Sequence, residues 1–314
     1  MVSPDVEPET LGVLCGPTAV GKTALAVALA QRLDAEIVCA DSRTIYRGMD
    51  IGTAKPDAAL RAQIPHHLLD VAEPSETFTL ADFQRLAARA IRGIYARGRV
   101  PLLVGGTGLY IRAIVDDLAL PRVAPDHALR ARLAEEEAAG PGTLHRRLAR
   151  LDPAAASRIH PANVRRIIRA LEVIGVTRRP ISEQQRRGEH APRALMIGLT
   201  AERIALYRRI DARVDAQLAA GLVDETQRLL ARDIPATSPS LRALGYEEIA
   251  GWLRGAYGYD EAVRLLKRNT RRYAKRQLTW FRRDPRIRWI DVTGISEEAL
   301  LERTHAMMGA LRAR

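Results

Sequence analysis

Residues 16–23 read Gly-Pro-Thr-Ala-Val-Gly-Lys-Thr, the glycine, lysine and hydroxyl spacing of a loop that wraps a phosphate. The apolar run Leu11 to Cys15 predicts a strand ahead of it, and the Ala- and Leu-rich run Thr23 to Arg32 a helix behind it. A tight turn between strand and helix aims backbone N–H groups at an anion, and the helix start adds its positive end. Gly16, Pro17, Thr18, Ala19, Val20 and Gly21 supply that backbone, Lys22 can reach terminal phosphate oxygens, and the Thr23 hydroxyl can ligate Mg²⁺. The pattern implies a phosphate ligand and leaves open whether the phosphate belongs to a nucleotide.

A carboxylate comes next. Glu36 to Ala40 predicts a second strand, and Asp41-Ser42-Arg43-Thr44 follows it directly, which puts Asp41 at a strand's carboxyl end, facing the phosphate loop. By itself such an Asp describes a turn or cap as readily as a catalytic group. The tract that follows, Ile45 to Pro56, combines glycines, cations and hydroxyls at a length that an ordinary connection does not need.

The elements that must position these residues form a βαβ pattern. Val100 to Val104 predicts a third strand ending in Gly105-Gly106-Thr107-Gly108, and Thr79 to Arg97 carries apolar residues at helical spacing. A parallel sheet with crossover helices brings both glycine-rich loops to one edge. From about Leu120 prolines punctuate Arg- and Ala-rich helical segments, with no strand signal before Leu195 to Thr200. The expected architecture is therefore an α/β, P-loop NTPase-like parallel sheet flanked by helices, built from 11–120 and 193–314, with an all-helical insertion domain over 121–192. Helices are predicted at Glu202 to Ala220, Leu222 to Arg232, Gly245 to Arg254 and Asp260 to Arg283.

Composition bounds the partners. The net charge is +12, from 49 Lys and Arg against 37 Asp and Glu, and the excess is mostly Arg. Codon bias in a GC-rich genome explains such a surplus as well as a polyanionic partner does; position decides. The segment from Lys267 to Arg283 interleaves cations with Tyr273, Trp280 and Phe281, the combination that RNA backbone contact and base stacking require. Cys15 and Cys39 fall in strands and read as small buried hydrophobes; His66 and His67, after a proline in a loop, lack further ligands at metal-binding spacing. Met1 to Thr10 lacks the basic and apolar regions of a signal peptide, and no run is long enough to span a membrane, so a cytoplasmic protein without a membrane partner is expected, with a monomer as the default.

Several blocks together resemble the tRNA dimethylallyltransferases, also called tRNA isopentenyltransferases: Asp41 to Pro56, Pro65 to Asp70, Val104 to Tyr110, Arg165 to Val173, Leu244 to Glu247 and Tyr273 to Arg282, in family order over nearly the whole chain. One departure is Thr44, where many members carry Gln. The resemblance implies transfer of a dimethylallyl group from dimethylallyl diphosphate to N6 of adenosine 37 in the anticodon stem-loop of tRNAs reading codons that begin with U. It makes Asp41 the base that accepts the amine proton, and Lys22 and Arg213 the cations on the leaving diphosphate, with Mg²⁺ on Thr23. Arg209, four residues before Arg213 on the same helical face, is its rival. The resemblance also implies tRNA contacts for Asp41, Ser42, Arg43, Thr44, Thr107 and Arg130. It adds Arg165, Arg166, Ile167, Ile168 and Arg169, then Arg242, Ala243, Leu244, Gly245, Tyr246 and Glu247. Last come Lys275, Arg276, Gln277, Leu278, Thr279, Trp280, Phe281 and Arg282.

Three rival readings are weaker. A small-molecule kinase with a phosphate loop would end the Val100 to Val104 strand in an acid, where this chain has glycines. A prenyltransferase for free adenine nucleotides would not need the helical insertion or the Arg-rich blocks. A non-catalytic RNA-binding protein leaves the phosphate loop and Asp41 unexplained.

Overall fold

The computed structural model describes residues 10–121, 123–184, 188, 191–235 and 238–311. Six strands, β1 (Thr10–Cys15), β2 (Ala35–Cys39), β3 (His66–His67), β4 (Val100–Gly105), β5 (Arg193–Thr200) and β6 (Ile287–Asp291), form one sheet in the order β3-β2-β4-β1-β5-β6. Every pairing is parallel. Parallel strands need both faces covered, which explains why β1 and β2 are apolar without clean alternation. Side chains alternate across the strands: Leu14 joins a core with Ile37 and Leu199, whereas Leu11, Val13 and Cys15 join another with Val38 and Leu103.

The first face is covered by α1 (Lys22–Leu33), whose Leu25, Leu29 and Leu33 are buried there. After the short α2 (Ala58–Gln63) comes α3 (Leu80–Ala96), started by a capping box in which Thr79 and Asp82 satisfy each other's N–H groups. Its Phe83, Ala87, Ile91 and Ile94 bury on the second face with Tyr110 and Ile111 of α4 (Gly108–Val115).

Two compact units emerge: residues up to Val115 together with those from Pro192, and Asp116–Ala191. Among the described residues the second unit's regular elements are all helices: α5 (His127–Ala139), α6 (Thr143–Leu151), α7 (Pro153–Ala156), α8 (Val164–Thr177) and α9 (Ile181–Gln184). Side chains of Asp126, Asp152 and Asn163 cap three of them, and Leu133, Leu144, Leu148, Ile167 and Val173 form its own core.

The first unit continues with α10 (Arg203–Ala219), α11 (Leu222–Leu230), α12 (Tyr246–Leu253), α13 (Tyr259–Phe281) and, after β6, α14 (Glu297–Met308). A third apolar cluster packs Ile45, Tyr46 and Met49 against Val214, Leu222, Tyr246, Ile249 and Leu266, so these helices clasp the long tract after Asp41. No described helix is long and apolar enough to cross a membrane.

The predicted elements form with ends shifted by one or two residues, and α2, β3, α4, β6 and α14 appear besides them. β3 is two residues long and hydrogen-bonds beside β2, so His66 and His67 sit in a strand instead of the expected loop. Their pairing comes from tertiary context, since two polar residues carry no alternation. β6 and α14 complete the sheet edge and cover its first face, with Ile287 and Ile290 turned inward and Arg288 outward.

Candidate active site

The carboxyl edge of the sheet gathers three loops, as a parallel sheet must: 16–21 after β1, Asp41 after β2, and Gly106-Thr107 after β4. In the phosphate loop Gly16 has φ +144°, and a Cβ there would lie 2.6 Å from the Leu199 carbonyl oxygen, so only glycine fits against β5. Ala19 and Gly21 also take positive φ, the alternation that curls a loop around an anion. The Lys22 ammonium lies back across the loop, donating to the carbonyls of Gly16 (3.0 Å) and Pro17 (2.6 Å).

Burial lowers the Lys22 pKa to about 8; the Arg213 charge pushes the same way, and Asp41 opposes both. A bound phosphate anion needs the charged amine, so affinity for an organic diphosphate should fall as pH rises through 8 in the wild-type protein. Isothermal titration between pH 7 and 9.5 checks this. A Lys22→Arg variant, which cannot lose its charge, should give a flat profile whatever its absolute affinity.

Asp41 is fixed by its own turn: Oδ1 accepts the Arg43 N–H at 2.8 Å. Beside it the Thr107 hydroxyl accepts the Ser42 N–H at 3.0 Å, and Tyr273 borders the same cavity. A cavity of about 490 Å³ runs past these groups, bordered by Lys22, Thr23, Asp41, Thr44, Arg213 and Tyr273. Ala26, Ile37, Cys39, Leu69 and Val104 make an apolar wall, and burial pushes the Cys39 thiol up to about 12, leaving it a neutral wall residue. The Thr44 hydroxyl is buried on this cavity without a hydrogen-bond partner among the described residues. Buried polar atoms are normally paired, so this one marks a place for a ligand atom.

A second cavity of about 250 Å³ lies along the loop's outer side, between Ala19, Gly21, Lys22, Thr23, Ala24, Arg209 and Arg213. Arg213 borders both cavities and is half-buried; Arg209 borders only the second and is exposed. Burial lowers the Arg213 pKa while Asp41 raises it, which places base and cation in each other's field. Thr23 borders both cavities, and no group of three or more His, Cys, Asp or Glu among the described residues could hold a metal. The residues therefore fit a cation held mostly by phosphate oxygens and water, in the manner of Mg²⁺.

Sequence reading missed what holds the tract after Asp41. The buried Glu225 carboxylate accepts N–H groups from Asp50 (2.9 Å), Ile51 (3.0 Å) and Gly52 (3.0 Å) and the Tyr246 hydroxyl (2.5 Å). Gln217 donates to the carbonyls of Ile51 and Gly52, and buried Lys55 joins Asp50, Asp70 and the Tyr46 carbonyl. Glu225 lies 173 residues from Gly52, and nothing local marks it.

The residues expected at RNA separate by exposure. Arg242, Glu247, Lys275, Arg276, Thr279 and Arg282 are exposed, Leu278 and Trp280 half-buried, and Arg43, Arg242, Arg272 and Arg276 put cations along the cavity. Ala243 and Leu244 line it. Three corrections follow. Gly245, Tyr246 and Phe281 are buried from solvent and do not offer a contact face, because they pack the helices that carry their exposed neighbours. Gln277 is buried and bonded to two loops. In the helical unit Ile167 and Ile168 are the inward face of α8, and only Arg165 and Arg166 beside them are exposed. Arg130 and Arg169 converge there on Glu172, which is fully buried; burial alone would raise its pKa, but hydrogen bonds from Arg130, Arg169 and the Asp126 N–H take it down to about 2. Both guanidiniums thus keep part of their edge for an outside anion and part for Glu172.

The model of the IPP transferase family matches residues 44–284. A tRNA dimethylallyltransferase of Symbiobacterium thermophilum is 54% identical over 287 residues, covering 90% of each chain. One from Geobacillus kaustophilus is 49% identical over 295 residues, covering 93% of each. The crystal structure of the tRNA isopentenylpyrophosphate transferase of Bacillus halodurans superposes with a TM-score of 0.74 at 43% identity over 97% of each chain. That of a eukaryotic dimethylallyltransferase acting on tRNA gives 0.81 at 26% identity, over 95% of this chain and 78% of the other.

Proposed function

The chain belongs to the IPP transferase family, and from that premise we propose that it transfers a dimethylallyl group from dimethylallyl diphosphate to N6 of adenosine 37 in tRNA, releasing diphosphate. One observation carries the chemistry: a carboxylate, Asp41, shares a single cavity with two anion-seeking cations, Lys22 and Arg213.

An adenine N6 is a weak nucleophile, since its lone pair is delocalised into the ring. As that lone pair forms the new C–N bond at the prenyl C1, the C1–O bond breaks and its electron pair leaves on the diphosphate. Asp41 takes the proton that N6 sheds. Charge growing on the diphosphate meets the free N–H groups of the 16–23 loop and the Lys22 and Arg213 cations, which border the same cavity before the reaction begins. Mg²⁺ held at Thr23 would add positive charge to the same oxygens. Ala26, Ile37, Cys39, Leu69 and Val104 offer the apolar surface that a dimethylallyl tail requires. The target base stacks in its loop and must be flipped out to enter. Arg242, Arg272 and Arg276 border the cavity on the side of α12 and α13, where an RNA backbone would be gripped. tRNAs reading codons that begin with U are the substrates this reading assigns.

The test offers the protein unmodified tRNA and Mg²⁺ with carbon-labelled dimethylallyl diphosphate in one reaction and γ-labelled ATP in another. Label should reach tRNA from the prenyl donor alone. Transfer from ATP and none from the prenyl donor would make the protein a kinase.

A further inference from the structure

We propose that Gln277 is a positioning residue that couples RNA docking on α13 to the diphosphate pocket, an inference that rests on the reading above. Its buried side-chain amide spans three segments. Oε1 accepts the Thr18 N–H of the phosphate loop at 2.9 Å, and Nε2 donates to the Gly106 carbonyl at 2.9 Å. The fit is tight: a Cβ on Gly106 would lie 2.2 Å from Nε2. Both donor and acceptor capacity of the amide are thereby used across more than 170 residues of sequence.

The opposite side of the same helix is the cationic one. Lys275 and Arg276 are exposed, while Tyr273, one turn before Gln277, borders the cavity that Asp41 and Ser42 line. α13 is one unbroken helix of 23 residues, which joins a load on its outer face to its inner one. A phosphodiester seated on Lys275 and Arg276 holds α13 down. Gln277 then holds the phosphate loop to the β4 loop through the Thr18 N–H, with the loop's remaining N–H groups in place for an anion. Without that brace, loop and helix settle independently, and the diphosphate bears the cost of ordering the loop.

Coupling of this kind is reciprocal, so it is measurable from either side. Titration calorimetry with inorganic diphosphate, with and without a saturating anticodon stem-loop RNA, is the test. In the wild-type protein RNA should tighten diphosphate binding about tenfold, and diphosphate should tighten RNA binding by the same factor. Gln277→Met keeps length and volume but neither hydrogen bond. It should bind RNA alone as the wild type does, show a factor of about one, and lose about tenfold or more in kcat with KM for RNA unchanged. Gly106→Ala breaks the link from the other side and should also abolish the factor, which decides the matter if the first variant does not fold. Coupling of wild-type size in a folded variant, or none in a wild-type protein that prenylates RNA, overturns the proposal. A wild-type protein that fails to prenylate RNA overturns the underlying reading instead.

Discussion

Asp41→Asn should slow dimethylallyl transfer by about 10³-fold at pH 7 while leaving tRNA and dimethylallyl diphosphate bound, because a positioned general base typically supplies about 10²–10⁴. Asparagine is chosen because its Oδ1 can still accept the Arg43 N–H, so the turn after β2 survives and only proton affinity is lost. One side effect has a definite sign. Asp41 raises the Lys22 pKa, so its removal lets Lys22 deprotonate more easily; the assay belongs at pH 7, below the wild-type value of about 8. Single-turnover measurement with prebound tRNA isolates chemistry from binding. Turnover within a few-fold of wild type would move the base elsewhere in the cavity, and loss of diphosphate binding at pH 7 would make Asp41 an electrostatic partner of Lys22 more than a base.

How much of this was legible beforehand follows from the range of each interaction. The phosphate loop, Asp41 and the βαβ order could be read because strand, turn and helix are local patterns, and a parallel sheet brings their ends together without further information. Arg213 could not be singled out by pattern: an arginine on an amphipathic helix is ordinarily solvated, and its place comes from α10 packing Leu206, Ile210 and Val214 inward. Glu225 is the extreme case, a carboxylate in α11 whose three N–H partners lie far away in the chain. β3 and β6 were invisible for the opposite reason, being edge segments with too few inward side chains to show a period.

The basic blocks were legible as blocks and misleading as lists. A helix that presents Lys275 and Arg276 must bury something behind them, and in this chain it buries Ala274, Gln277 and Phe281. The same holds for Arg165 and Arg166 over Ile167 and Ile168. In Arg130 and Arg169 the charge is real but shared, because Glu172 neutralises one of the two guanidiniums and fixes both. An RNA-contact segment is therefore one exposed face of a packed element, and substitutions on its two faces should behave differently.

Arg213 and Arg209 hold different places on one helix, and their rivalry is open to kinetic test. Arg213→Gln should lower kcat by about 10²–10³, the usual loss when one donor to a developing anion is removed, with KM for tRNA unchanged. Arg209→Gln should change kcat by no more than a few-fold. The reasoning is geometric: Arg213 is half-buried, borders both cavities and feels Asp41, so its charge acts in a poorly screened setting. Arg209 is exposed and meets only the outer side of the phosphate loop, where water and salt dilute its field. An effect of Arg209 should consequently appear in diphosphate association and shrink as ionic strength rises, whereas the Arg213 defect should persist in high salt. Steady-state kinetics of both variants at two salt concentrations separates the roles. Equal, salt-insensitive losses at the two positions would mean that the leaving group sits across both arginines, and that the second cavity belongs to the transition state as much as the first.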